Sequence, residues 1–129
     1  MKYLGIDFGS KRVGIAVSDE RGRMAFPHSV ILNDKKLLEK TEEIIKKEKI
    51  DKIIIGESKN FENQPNEIMK EIQKFKKTLE KKAKLEIFFE PEFMTSAQAE
   101  QIQGKNDMHD ASAATIILQS YLDKNLHML

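Results

Sequence analysis

The hydrophobic period changes once along this chain, and that change restricts the folds open to it. Up to residue 32 the pattern is that of strands. Tyr3–Phe8 is a short apolar run, Gly9-Ser10-Lys11 a turn, and Arg12–Ser18 alternates, with Val13, Ile15 and Val17 on one face and Gly14 and Ala16 on the other. A second turn at Asp19–Gly22 leads into a third extended piece, Arg23–Val30, where Pro27 implies an edge position or a bulge. From residue 33 the period becomes helical. Asn33 is a candidate cap for a helix with Leu37, Leu38, Thr41, Ile44 and Ile45 as its stripe. Ile53-Ile54-Ile55, ending at Gly56, reads as a buried central strand. A polar loop, Glu57–Pro65, precedes a helix with Ile68, Ile72, Phe75 and Leu79 on one face. Leu85–Phe89 is a strand, Thr95 and Gln98 form a capping box for a short helix ending near Gly104, and a last helix spans Asp110–Asp123. Three meandering strands followed by αβαβα units predict an α/β domain, a mixed five-stranded sheet with helices on both faces.

The chain's 129 residues fit one domain over residues 1–129. Zero cysteines exclude a disulfide scaffold, a thiolate zinc site and a cysteine nucleophile. Asp7, Lys11 and Arg12 interrupt the apolar run that a signal peptide would need, and no stretch approaches the roughly 18 apolar residues of a membrane helix. The expectation is a cytoplasmic protein with no membrane partner.

In α/β sheets, sites gather where strands end and helices begin. Four carboxylates occupy such places. Asp7 interrupts the apolar strand Leu4–Phe8, where a buried charge is costly unless paired or metal-bound; alternatively it shapes the turn at Gly9. Glu90 and Glu92 flank Pro91 at a strand end, as site acids or as solvated loop residues. Asp110 heads an alanine-rich helix, where it is also a natural N-cap. Converging carboxylates repel one another, and hard divalent cations relieve that repulsion. His28, His109 and His127 have no spacing suited to a shared metal, and each reads as an ordinary surface or core-edge residue, His109 standing apart through its neighbour Asp110.

Leu4-Gly5-Ile6-Asp7-Phe8-Gly9-Ser10-Lys11-Arg12-Val13-Gly14-Ile15-Ala16-Val17-Ser18-Asp19 resembles the opening signature of the YqgF family, bacterial Holliday-junction-resolvase-like proteins also described as pre-16S ribosomal RNA nucleases. Glu92-Phe93-Met94-Thr95-Ser96 resembles the family's central segment, and Asp110-Ala111-Ser112-Ala113-Ala114 with Ile117–Tyr121 its final-helix motif. The resemblance implies a ribonuclease-H-like fold and phosphodiester hydrolysis with magnesium or manganese, two ions being expected. Position by position it implies Asp7, Glu92 and Asp110 as the catalytic and metal-holding set, preferring Glu92 to Glu90. Ser10, Lys11 and Arg12 are then the nucleic-acid contacts. The implied partner is nucleic acid, an rRNA precursor or branched DNA, with the protein a monomer or a homodimer.

This chain departs from the family pattern at Pro91-Glu92-Phe93, where Asp-Glu-Arg is usual, and at Gly56-Glu57-Ser58, where Gly-x-Pro is usual. Three functions follow as alternatives: processing of the 5′ end of pre-16S rRNA, resolution of Holliday junctions, or nucleic-acid binding by a degenerate site. A kinase of the actin and sugar-kinase superfamily, suggested by Asp7-Phe8-Gly9-Ser10, would need a second lobe for which this length leaves no room.

The net charge of +1 is a cancellation. Residues 1–32 carry five basic and three acidic groups, residues 33–84 fifteen and eleven, and residues 85–129 two and seven. Lys70, Lys74, Lys76, Lys77, Lys81, Lys82 and Lys84 crowd the second helix and its exit, as a solvated face or as a phosphate-binding track.

Overall fold

The computed structural model describes residues 1–57, 68–91 and 109–127, of which 109–112 and 126–127 in backbone only. Its elements are β1 (Tyr3–Phe8), β2 (Arg12–Ser18), β3 (Ala25–Leu32), α1 (Leu37–Glu48), β4 (Lys52–Glu57), α2 (Ile68–Ala83), β5 (Glu86–Pro91) and α3 (His109–His127). The sheet order is β3-β2-β1-β4-β5. β2 pairs antiparallel with both β1 and β3, while β4 runs parallel to β1 and to β5. This is the mixed five-stranded sheet expected from the change of period. The short helix expected between Thr95 and Gly104 lies outside the described residues.

Alternation along β1 sends side chains to two different layers. Leu4, Ile6 and Phe8 join Ile53, Ile55, Leu37, Ile72 and Leu79 under α1 and α2. On the other face Ile54 and Ala16 pack with Ala114, Ile117, Leu118 and Leu122 of α3. Each isoleucine of β4 is fully buried, as befits a strand covered on both sides. Gly5 lets β1 approach α3 closely. A Cβ on Gly5 would lie 2.7 Å from Cβ of Leu118 and 3.1 Å from the backbone oxygen of Ala114.

Several boundaries differ from the sequence reading by a residue or more, the last helix among them at His109–His127 rather than Asp110–Asp123, and three of the differences have a local reason. β3 begins at Ala25 rather than Arg23, because the Asp19 carboxylate accepts the N–H groups of Arg23 (2.8 Å) and Met24 (3.3 Å) and holds both in the turn. The Arg23 bond comes first among the causes that keep the Asp19 carboxyl below its ordinary value. Asn33 does not cap α1, which starts behind Lys36 without a side-chain cap. Its Nδ2 instead donates to the Gly9 carbonyl (2.8 Å), and its N–H to the Lys11 carbonyl (2.9 Å). β5 runs on to Pro91, pairing Gly56 with Glu90 and Glu57 with Pro91. A proline is tolerated there because β5 is an edge strand. Pro27 likewise sits on an edge strand, at a register shift that passes over His28.

The C-terminal end of α1 is tied to the chain start. Glu48 accepts from Lys2 Nζ at 3.0 Å and faces His28 Nε2 at 3.5 Å. The Lys2 hydrogen bond, opposed by partial burial, keeps the Glu48 carboxyl below its ordinary value. A carboxyl with a folded value below its unfolded one stabilises above the unfolded value, and the contribution is lost as pH falls through the folded one. Glu48→Gln should therefore lower stability by up to about 1 kcal/mol near pH 7 and by progressively less as the pH falls through the folded value. Urea melts across that pH range check this, and an equal loss throughout would refute it.

α2 carries its lysines in a regular array. Lys70, Lys74, Lys77 and Lys81, with Lys84 one residue past the helix, recur at steps of four and three, and all are exposed. At about 100° per residue they cover roughly 80° of surface, opposite the buried Met69, Ile72 and Leu79. Like charges at these steps weaken a helix by about 0.2–0.5 kcal/mol per pair. The one ion pair on α2 among the described residues, Lys76 to Glu80 at 3.1 Å, lies off the stripe.

Candidate active site

β1, β4 and β5 are parallel, so all three end at one edge of the sheet. Asp7 is the penultimate residue of β1, half-buried, and alternation places it with Gly5 on the α3 face. It pairs in register with Gly14 of β2. On the other side Gly56 follows Ile55, the β4 partner of Ile6. Both strands beside Asp7 thus offer glycine at its level.

The direction of α3 fixes where its first turn lies. The Tyr3 and Tyr121 rings are 5.9 Å apart, whereas Gly5 meets Leu118 and Ala114. Position on the helix falls as position on the strand rises, so α3 runs antiparallel to β1. Its backbone continues past Ala114 toward the strand end that holds Asp7, and Asp110 is the second residue of that helix. Glu92 follows Pro91, the last residue of β5, and lies outside the described residues. Among the described residues there is no group of three or more histidine, aspartate or glutamate side chains suited to a metal.

Glu90, the other glutamate beside Pro91, has a structural role. Only 3% exposed, it accepts from Lys124 Nζ at 2.7 and 3.1 Å and from Ser120 Oγ at 3.0 Å, binding α3 to β5. The sequence reading missed this clamp; the signal was a glutamate on the α3-facing parity of a strand, with a lysine and a serine four apart on α3. Because half of Lys124 is in solvent while Glu90 is not, the two partners are unequal. Lys124→Met should cost about 1–3 kcal/mol by leaving a buried carboxylate with Ser120 alone, and Glu90→Gln, which keeps that hydrogen bond, less. Denaturant midpoints of the two variants check the order, and the reverse order would refute it.

Ser10, Lys11 and Arg12 are exposed on the β1–β2 turn at the same edge. Gly9 permits the turn, since a Cβ there would run into the Arg12 carbonyl oxygen, and Asn33 braces it from outside. Ser10 does not open onto the α3 face. It lines an open cleft of about 670 Å³ on the opposite face, between the turn, the start of α1 and the flank of α2, with Phe8, Lys35, Lys74 and Phe75.

A family model described as "RuvX: Holliday junction resolvase" matches residues 1–124. A relative from Sulfurihydrogenibium sp. (strain YO3AOP1), named provisionally as a pre-16S rRNA nuclease, is 37% identical over 131 residues, 95% of this chain and 90% of its own. One from Lawsonia intracellularis (strain PHE/MN1-00), with the same provisional name, is 37% identical over 135 residues, 97% and 95% of the two chains. The solved structure of T. thermophilus RuvC in complex with a Holliday junction substrate superposes with a TM-score of 0.66 at 14% identity, covering 98% of this chain and 96% of that one. That likeness is one of fold, and the fold is ribonuclease-H-like. The opening and closing motifs thus carry through to the full length: the chain belongs to the RuvX family, that of the Holliday junction resolvases and their relatives.

Proposed function

We propose that this chain, as one domain over residues 1–129, is a metal-dependent endonuclease acting on structured nucleic acid, its substrate the 5′ end of pre-16S rRNA. The observation that carries the reading is the approach of the α3 first turn toward the end of β1 where Asp7 stands between two glycines. Asp7, Glu92 and Asp110 supply only carboxylate oxygens, the hard donors that magnesium or manganese prefers. These three would hold the metal, two ions being expected, and the metal supplies the Lewis acidity that activates water and stabilises the leaving oxygen of a phosphodiester. The α3 N-terminus favours the ionised form of Asp110. Lys11 and Arg12 neutralise phosphates at the sheet edge and Ser10 donates a hydrogen bond to one, contacts that position a strand without reading its sequence. Relatives named for pre-16S rRNA support this substrate, and such a substrate is met in the cytoplasm. The family's description keeps junction resolution as the second reading.

A single assay decides between them. Purified protein is incubated with a 16S precursor and with a four-way junction, each with magnesium, manganese or EDTA. Cleavage of the precursor near its mature 5′ end, present with either metal and absent with EDTA, is the expected result. Cleavage of the junction alone would transfer the assignment to a resolvase. Binding to both without cleavage of either would leave a binding module.

A further inference from the structure

We propose that the lysine stripe of α2 is a second nucleic-acid surface, which grips the phosphate backbone of a duplex flank away from the point of cleavage. Four observations carry it. First, Lys70, Lys74, Lys77, Lys81 and Lys84 all fall on the side of α2 opposite its buried face, so their spacing is directed outward and not a by-product of core packing. Second, among the described residues none of the five is in an ion pair; Glu80, the acid nearest in sequence to Lys81, is bound instead to Lys76. Third, each lysine of the array has a like charge three or four residues away, only partly offset by Glu71 and Glu80, the acids of α2 at that spacing from Lys74, Lys77 and Lys84. A surface selected only for solubility would mix signs, as α1 does with Glu39, Glu42, Glu43, Lys46 and Lys47. Fourth, the stripe is continuous with the proposed catalytic edge. Lys74 lines the same cleft as Ser10 of the β1–β2 turn, and from there the lysines run down the helix.

The geometry selects the occupant. From Lys70 to Lys84 the stripe is about 20 Å long, the rise of roughly six base pairs. It is straight and carries no aromatic ring; single strands are held by base stacking on aromatic rings, so this face lacks the means to hold one. Lysine ammonium groups are point charges suited to phosphate and carry no base readout. The contact is therefore electrostatic, indifferent to sequence and sensitive to salt. A substrate whose cleaved strand meets Lys11 and Arg12 would extend its duplex flank through the cleft and along α2. This inference rests on the nuclease reading for the identity of the polyanion but not for its test.

The test is binding of the intact chain in EDTA, where cleavage cannot occur, to a blunt duplex of about 24 base pairs, as RNA and as DNA, across a salt series. Wild type is compared with Lys74→Gln/Lys77→Gln/Lys81→Gln and with an equal charge change off the stripe, Lys46→Gln/Lys47→Gln/Lys49→Gln. The stripe variant should show a slope of log affinity against log salt shallower by about 2 to 3, at roughly 0.9 per lysine, and an affinity near 0.1 M salt lower by roughly a hundredfold. It should also melt no lower than wild type, since the lost charges repelled one another. The off-stripe variant should move the slope by less than one. Equal slopes in the two variants, or a wild type that binds neither duplex, would overturn the proposal. Unchanged slopes with intact cleavage would remove this surface and leave the nuclease standing. A shallower slope in a protein that cleaves nothing would do the reverse.

Discussion

Asp7→Asn is expected to lower cleavage of the 16S precursor by at least about a thousandfold and to leave the protein folded. The loss corresponds to about 4 kcal/mol of transition-state stabilisation. Asparagine preserves the shape of the side chain and its place in β1 between Gly14 and Gly56, and what it removes is one negative oxygen donor. In the proposed set Asp7 would share its site with two other carboxylates, whose mutual repulsion a bound divalent ion would offset. A ligand that binds only the folded state stabilises it in proportion to the logarithm of its concentration. Magnesium should therefore raise the melting temperature of the wild type and leave that of Asp7→Asn unmoved, a readout independent of any substrate. Glu90→Gln serves as the contrast, because that carboxylate is spent on Lys124 and Ser120; its kcat should stay within about threefold of wild type. An Asp7→Asn enzyme of undiminished activity would dismiss the proposed site, and a Glu90→Gln enzyme as inactive as Asp7→Asn would assign the wrong glutamate.

The contrast between these two acids marks how far the sequence could be read. The sheet was legible because its determinants are local: alternation in Arg12–Ser18, the unbroken Ile53–Ile55 run and the switch to helical spacing each declare an element within a few residues. Asp7 stood out for the same reason, as an acid where a strand has no use for one, and it stands half-buried near the end of β1. Glu90 was weighed in the sequence as a site residue or a solvated one, and it is neither. Its partners Ser120 and Lys124 lie thirty and more positions away, and nothing near Glu90 announces them. Asn33 shows the same limit at shorter range. Its position before an apolar stripe is that of a helix cap, yet the orphan carbonyl of Gly9, twenty-four positions earlier, competes for the side chain and wins it. The lysines of α2 were legible in number and not in arrangement, because a stripe has a direction only once the buried side of the helix is known.

Gly5→Ala is expected to be the most destabilising single-methyl change on β1, and to cost activity without touching the site. In most strands a glycine-to-alanine change is favourable, since the unfolded chain loses freedom worth about 0.4–1 kcal/mol. Here the added Cβ would sit 2.7 Å from Cβ of Leu118 and 3.1 Å from the Ala114 carbonyl oxygen. Neither neighbour can rotate away, one being a Cβ and the other backbone. β1 is held between β2 and β4, so the strain falls on α3, which must lift from the sheet. Overpacking of this kind costs about 1–3 kcal/mol, and at several degrees per kcal/mol the melting temperature should fall by roughly 10 °C. In the proposed site the same displacement would act on function, because α3 carries Asp110, one of the proposed metal ligands, in its first turn, about one turn beyond the Ala114 contact. A shift of about 1 Å in a catalytic group costs on the order of a hundredfold in rate. Gly5→Ala assayed well below its melting temperature should thus remain folded by circular dichroism while kcat drops by ten- to a hundredfold. A variant as stable and as fast as wild type would mean that α3 does not rest on Gly5 and that its first turn is positioned by something else.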